Sequence, residues 1–261
     1  MKSGISTACL YPMPLEDAFS TLLKMGFREF EIFFNTFSEL EKSYIDELKM
    51  RADDAGGRIR SIHPFTSGYE SYLLFSDYER RFLDGLEFYK RYFEACSRLG
   101  AKLLVLHGER SDKRARIPET MYFERYARLF ELGKSFGVTV AQENVDRFLS
   151  DDPGFLSRMK KACGTGCAFV LDIKQAVRGG EDPFRICRAM GDRIVHVHIN
   201  DNSPASDCLL PGFGRMDFPA LTRMLRSFGF DGDLMIEVYR DSFGKLGELL
   251  EAKRTVDRLI L

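Results

Sequence analysis

The residues able to do chemistry in this chain sit at the ends of short apolar runs. SIHPF carries His63, LLVLHGE carries His107, VAQENVDR carries Glu143, FVLDIKQ carries Asp172, IVHVHIND carries His196 and His198, and LMIEVY carries Glu237. All four histidines of the chain belong to this set. Any one of these residues also fits a blander role, as a satisfied core histidine or an ion-paired carboxylate. Together, Glu143, Asp172, His198 and Glu237 suit one divalent cation, because carboxylates crowded into an apolar rim repel one another and a cation relieves them. Three carboxylates and one imidazole make a hard, mostly oxygen site for Mn²⁺, Mg²⁺ or Co²⁺, with Zn²⁺ or Fe²⁺ as alternatives. Four protein ligands on a six-coordinate ion leave two positions open, enough to chelate a carbonyl and a neighbouring hydroxyl of a sugar. Side chains alternate along a strand, so His196 and His198 face the same way one layer apart, with His198 nearer the strand end.

Those strand ends must be brought to one place, and the periodicity of the chain supplies the means. Short apolar runs alternate with stretches of helical period, the pattern of repeated strand–helix units. Strands are expected over 4–10, 29–33, 58–63, 102–107, 138–143, 168–172, 194–198 and 234–238. Helices are expected over 15–25, 38–55, 77–99, 119–136, 153–162, 183–190, 218–228 and 245–259. Eight units in 261 residues match one (β/α)₈ barrel, which takes roughly 250 residues. A large open doubly wound sheet has the same count, but its glycine-rich phosphate loop is missing after the first strand. The fold expected is α/β, a single-domain TIM barrel over 1–261, in which the carboxyl ends of the strands form one rim.

At these residues the chain resembles the xylose isomerase-like TIM-barrel superfamily of sugar epimerases and isomerases. The resemblance spans nearly the whole chain and rests on QEN ending in Glu143 and Asn144, LDI at Asp172, HVHIND at His198, the loop LLPGFGRMDF, and IEV at Glu237. It implies that Glu143, Asp172, His198 and Glu237 hold the metal, and that Glu143 and Glu237 are also the opposed acid and base. The chain is similar as well to hydroxypyruvate isomerases, inositol-catabolism dehydratases and endonuclease IV. It departs from the epimerase pattern at Gln175, where a histidine is usual, and at Leu149, where a substrate-binding glutamate is usual. The loop at 208–212 reads CLLPG, with Cys208 where a histidine is common. Gln175 and Cys208 also remove two ligands that the three-zinc cluster of endonuclease IV needs.

The activity expected is metal-dependent isomerisation or epimerisation of a sugar or sugar phosphate, by proton transfer next to a carbonyl through an enediolate. His63, His107, Gln175 and Arg215 are the expected substrate-binding residues. A non-catalytic or diverged sugar-binding paralogue is the alternative, and an abasic-site nuclease comes third. The 38 basic and 39 acidic side chains leave a formal net charge of −1, which argues against a nucleic-acid partner. No run is apolar for the ~18 residues of a membrane helix, and no signal peptide is expected after MKSGISTACLYPMP. A cytoplasmic location follows as an expectation. The six cysteines read as reduced, mostly buried thiols; a zinc knuckle at Cys163 and Cys167 would lack a second pair. Glu31 and Asn35 could reach substrate or serve structure. Phe33, Phe34, Phe37 and Phe65 could wall the mouth or pack the core. The charged segment ERSDKRAR at 109–116 could form a lid, and homo-oligomerisation is left open.

Overall fold

The computed structural model describes residues 1–111 and 117–260. Its strands are β1 (Lys2–Ser6), β2 (Glu29–Phe33), β3 (Arg58–His63), β4 (Leu103–Leu106), β5 (Thr139–Glu143), β6 (Phe169–Asp172), β7 (Ile194–Ile199), β8 (Asp201–Ser203), β9 (Ser206–Leu209) and β10 (Asp233–Ile236). The helices are α1 (Leu15–Lys24), α2 (Lys42–Asp54), α3 (Glu70–Leu73), α4 (Glu79–Leu99), α5 (Glu119–Ser135), α6 (Pro153–Cys163), α7 (Ile173–Arg178), α8 (Pro183–Met190), α9 (Phe218–Ser227) and α10 (Gly247–Ile260). Eight parallel strands close into a barrel in the order β1-β10-β7-β6-β5-β4-β3-β2, and β8 and β9 form a separate hairpin. Runs such as LLVL in β4 and DLMI in β10 are buried at every position, as strands covered on both faces must be. Helix starts are fixed locally: Asp152 accepts from the Gly154 and Phe155 amides ahead of α6, and Asp217 accepts from the Ala220 amide ahead of α9. Part of the expected lid, 112–116, lies outside the described residues.

Several boundaries differ from the sequence expectation. The first strand ends at Ser6, because the Ser6 hydroxyl accepts from the Ala8 amide and turns Thr7–Leu10 into a 3₁₀ helix. The second helix starts at Lys42, after extended backbone at Glu41. The last barrel strand ends at Ile236, so Glu237 stands one residue past it. Neither α7 nor the β8–β9 hairpin was expected. Each is too short to show a period.

Two irregularities set the register of the interior. Phe30 pairs with Ile59 but Glu31 pairs with Ser61, so Arg60 is skipped. Phe169 pairs with Ile194 but Val170 pairs with His196, so Val195 is skipped. Bulges of this kind re-aim the side chains that follow them. Beyond the bulges, Glu31 lies level with Ser61, and Asp172 level with His198.

Candidate active site

Four strand ends deliver Glu143, Asp172, His198 and Glu237 to one place, with one ligand atom from each lying within 4.8 Å of the others. His198 Nδ1 stands 2.9 Å from Glu143 Oε1 and 3.5 Å from both Asp172 Oδ2 and Glu237 Oε2. Asp172 is held by its neighbours in chain and sheet. Its carbonyl accepts from Asn144 Nδ2 and its amide donates to Asn144 Oδ1, both at 2.8 Å, while Oδ1 accepts from the Gln175 amide and so caps α7. Lys174, absent from the sequence reading, is buried here. Its Nζ donates to Glu237 Oε2 at 2.6 Å and lies 3.3 Å from Asp172 Oδ2.

The donor set fits a divalent cation. Glu143 Oε2 and Asp172 Oδ2 are buried and accept no hydrogen bond from any described residue, although His107 Nε2 and Lys174 Nζ approach to 2.9 and 3.3 Å. Unmet buried acceptors are costly, and here they point toward a shared centre. Burial holds the Asp172 carboxyl above its ordinary range, against the pull of the Lys174 ammonium. Burial works against a charged His198, yet Glu237, Glu31 and Glu143 together hold its imidazolium well above the usual range. Such a site has more anionic groups than its own lysine balances.

A second ligand group adjoins the first. His63, His107 and Glu143 also lie within ligand distance, with His63 Nε2 and His107 Nε2 3.0 Å apart. On the other side, Glu31 Oε2 stands 3.2 Å from His198 Nε2 and 3.3 Å from His196 Nε2, and accepts from the Ser61 hydroxyl at 2.8 Å. A polar column, buried except at the half-buried His107, therefore crosses the barrel, from His196 through Glu31, His198, Glu143 and His107 to His63. His196 sits deeper than His198, as their two-residue spacing requires.

The model for the xylose isomerase-like TIM barrel family matches residues 19–259. The chain belongs to this family. Among named relatives, an uncharacterized protein of Mycobacterium leprae is 28% identical, with 93% of this chain and 90% of that protein covered. The 3-dehydro-D-guloside 4-epimerase of Escherichia coli strain K12 is 24% identical, with 94% and 99% covered. Among solved structures, a D-tagatose 3-epimerase-like protein superposes with a TM-score of 0.80 at 19% identity, over 100% of this chain and 97% of that one. The last of these speaks to the fold alone.

In this family member a cavity of about 890 Å³ opens over the rim. Of the four grouped residues, Glu143 and Glu237 line it, with Lys174 between their strands; Asp172 and His198 lie behind. His63, His107 and Gln175 line it as well, so three of the four expected substrate-binding residues come together. Arg215 does not join them. It lies exposed in the loop before α9, its amide donating to the Asn202 carbonyl. Asn35 lines the cavity, whereas Glu31 is buried beneath His198 because it faces the barrel interior. Phe33 and Phe65 form part of the wall, Phe34 is core, and Phe37 stands exposed against Phe65 with ring centroids 4.9 Å apart. All six cysteines are free thiols, and no candidate ligand group among the described residues includes Cys163 or Cys167. No helix of the described residues is long and apolar enough to cross a membrane.

Proposed function

We propose that the protein is a metal-dependent sugar isomerase or epimerase that moves a proton next to a carbonyl, with Glu143, Asp172, His198 and Glu237 as ligands of one divalent cation. One observation carries the reading: within the four-residue group, the two glutamates face the cavity and the aspartate and histidine stand behind them. A bound cation, Mn²⁺, Mg²⁺ or Co²⁺ by the hardness of the donors, supplies positive charge that acidifies the C–H beside a carbonyl and stabilises the enediolate. Glu143 and Glu237 then serve as opposed base and acid. One takes the α proton, and the other returns a proton to the opposite face or to the adjacent carbon. His63, His107 and Gln175 donate to substrate hydroxyls or to developing oxygen charge. The substrate is a small sugar or sugar derivative, and the buried free thiols support a cytoplasmic setting.

The test is exchange of substrate α protons in D₂O over a ketose and sugar-acid panel, with Glu143→Gln and Glu237→Gln beside the wild type. Gln keeps a ligating oxygen but accepts no proton at neutral pH. Each variant is expected to lose about 10² to 10⁴ in turnover. One variant can still exchange deuterium while failing to invert the centre. Normal turnover of both at saturating metal refutes the two-glutamate scheme. Absence of exchange by the wild type across the panel favours a sugar-binding paralogue.

A second reading, phosphoester hydrolysis by two metal ions, is favoured by one feature: His63 and His107 face Glu143 Oε2 while His198 faces Oε1, so one carboxylate joins two ligand groups. Elemental analysis separates the readings, with one ion per chain expected from the first and two from the second. Cleavage of a duplex with an abasic site would assign the second.

A further inference from the structure

The cavity over the glutamates does not end at the mouth. Ala8, Tyr11 and Tyr239 line it and also line a second lobe of about 540 Å³, whose other walls are Arg240 and Asp241. We infer that this outer lobe binds a second, neutral sugar ring attached to the reacting one, so that the substrate is a reducing disaccharide or a close analogue of one. The inference rests on the sugar reading above and names the substrate class for that site.

Three observations converge. First, Tyr239 is fixed without being buried. Its hydroxyl accepts from Arg178 Nη1 at 2.7 Å, the Lys174 ammonium lies 5.0 Å and the Arg178 guanidinium 5.2 Å from its ring centroid, and Arg178 is itself anchored at 2.6 Å by Asp207. Yet 43% of Tyr239 is exposed, as is 60% of Tyr11 across the same two lobes. A rigid aromatic face in water is a ready platform, since ordering it costs little on binding. Second, the polar groups beyond the tyrosines come as a mixed pair. Arg240 offers donors and Asp241 acceptors, both exposed. A carboxylate beside the guanidinium disfavours a phosphate, whereas the hydroxyls of a sugar use donors and acceptors alike. Third, the deep lobe holds all the proton-transfer groups, so the outer lobe receives a part of the substrate that does not react.

The linkage constrains how the second ring attaches. Proton transfer next to a carbonyl needs the anomeric carbon of the reacting ring free, so the outer ring must be joined through one of that ring's hydroxyls, as in the reducing disaccharides. The step here stays redox-neutral: the proton leaves carbon for one glutamate, and a proton returns to carbon from the other.

Calorimetric titration of the metal-loaded protein with cellobiose, maltose, methyl β-D-glucopyranoside and fructose 6-phosphate tests the lobe without requiring turnover. At least one disaccharide is expected to bind about tenfold more tightly than the methyl glycoside, a gap of about 1.4 kcal/mol. In Tyr11→Ala and Asp241→Ala that ratio is expected to fall toward one while the thermal midpoint is kept. Equal affinities, no disaccharide binding, a ratio that survives both variants, or preference for the phosphate overturns the inference. Deuterium exchange beside the reducing-end carbonyl of the same disaccharides, in a separate sample, reports on proton transfer alone. Exchange without a disaccharide preference refutes only the outer lobe, and a disaccharide preference without exchange refutes only the catalysis.

Discussion

Asp172 ties the candidate cation site to the chain in two ways, and its replacement separates them. One oxygen caps α7 through the Gln175 amide, and the other is the unmet acceptor aimed at the cluster. Asp172→Ala is expected to lose the bound divalent ion and about 1 kcal/mol of capping stability, with the barrel retained. Asp172→Asn keeps a capping oxygen, so it should hold the fold better while still losing most of the metal. Elemental analysis beside thermal melts reads both, and unchanged metal content in the alanine variant rules out the ligand assignment. The candidate ligands were legible in the sequence because each closes an apolar run with a charged or imidazole group. Lys174 was not legible, since a lysine two places after Asp172 reads as a solvent-facing residue of a new helix. What buries it is Glu237, 63 residues further on, and no local pattern reports that contact. Glu31 was seen, but its partners His196 and His198 come from across the barrel, so its place beneath the candidate ligand His198 could not be read locally.

Among the elements, the β8–β9 hairpin and α7 explain how short pieces serve the site. Asp207 of β9 holds Arg178 of α7, and Arg178 holds the Tyr239 hydroxyl. The Arg178 hydrogen bond keeps the Asp207 carboxyl below its ordinary value of 3.8, against a smaller upward push from burial. A carboxyl whose pKa is lowered on folding stabilises the fold above its unfolded pKa, and that contribution is lost as pH falls through the folded one. Asp207→Asn is therefore expected to lower stability by at most about 1 kcal/mol at pH 7, the scale of a partly exposed ion pair. The gap between wild type and variant should close as pH drops below 3.8. Urea unfolding at a series of pH values measures it; a gap that stays constant into acid would show that the ion pair contributes nothing. The eight barrel strands and most helices were legible from their periods. The bulges at Arg60 and Val195 were not, because a single skipped residue leaves the apolar pattern of each strand intact.

For the molecule as a whole, closure of the barrel and the proposed metal are expected to set stability together. Gly4 sits in β1, the strand between β2 and β10, where an added Cβ would meet Met235 Sδ at 2.7 Å and the Glu29 carbonyl at 2.8 Å. Gly4→Ala is expected to cost about 1–3 kcal/mol by overpacking, read as a lower thermal midpoint with the same metal content. The proposed metal would act on the same balance from the rim. A cation that binds only the folded chain, present at about 100 times its Kd, adds about 2.7 kcal/mol. Chelation should thus lower the midpoint of the wild type and leave Asp172→Ala unmoved. The polar column across the barrel carries a further consequence. Once a cation displaces the Nδ1 proton of His198, Glu31 at Nε2 would keep the remaining proton there and leave the Nδ1 lone pair to the cation. The amide oxygen of an asparagine reaches about as far as Nδ1, and that of a glutamine about as far as Nε2. As isosteres of the two imidazole edges, His198→Asn should retain measurable metal and His198→Gln should not.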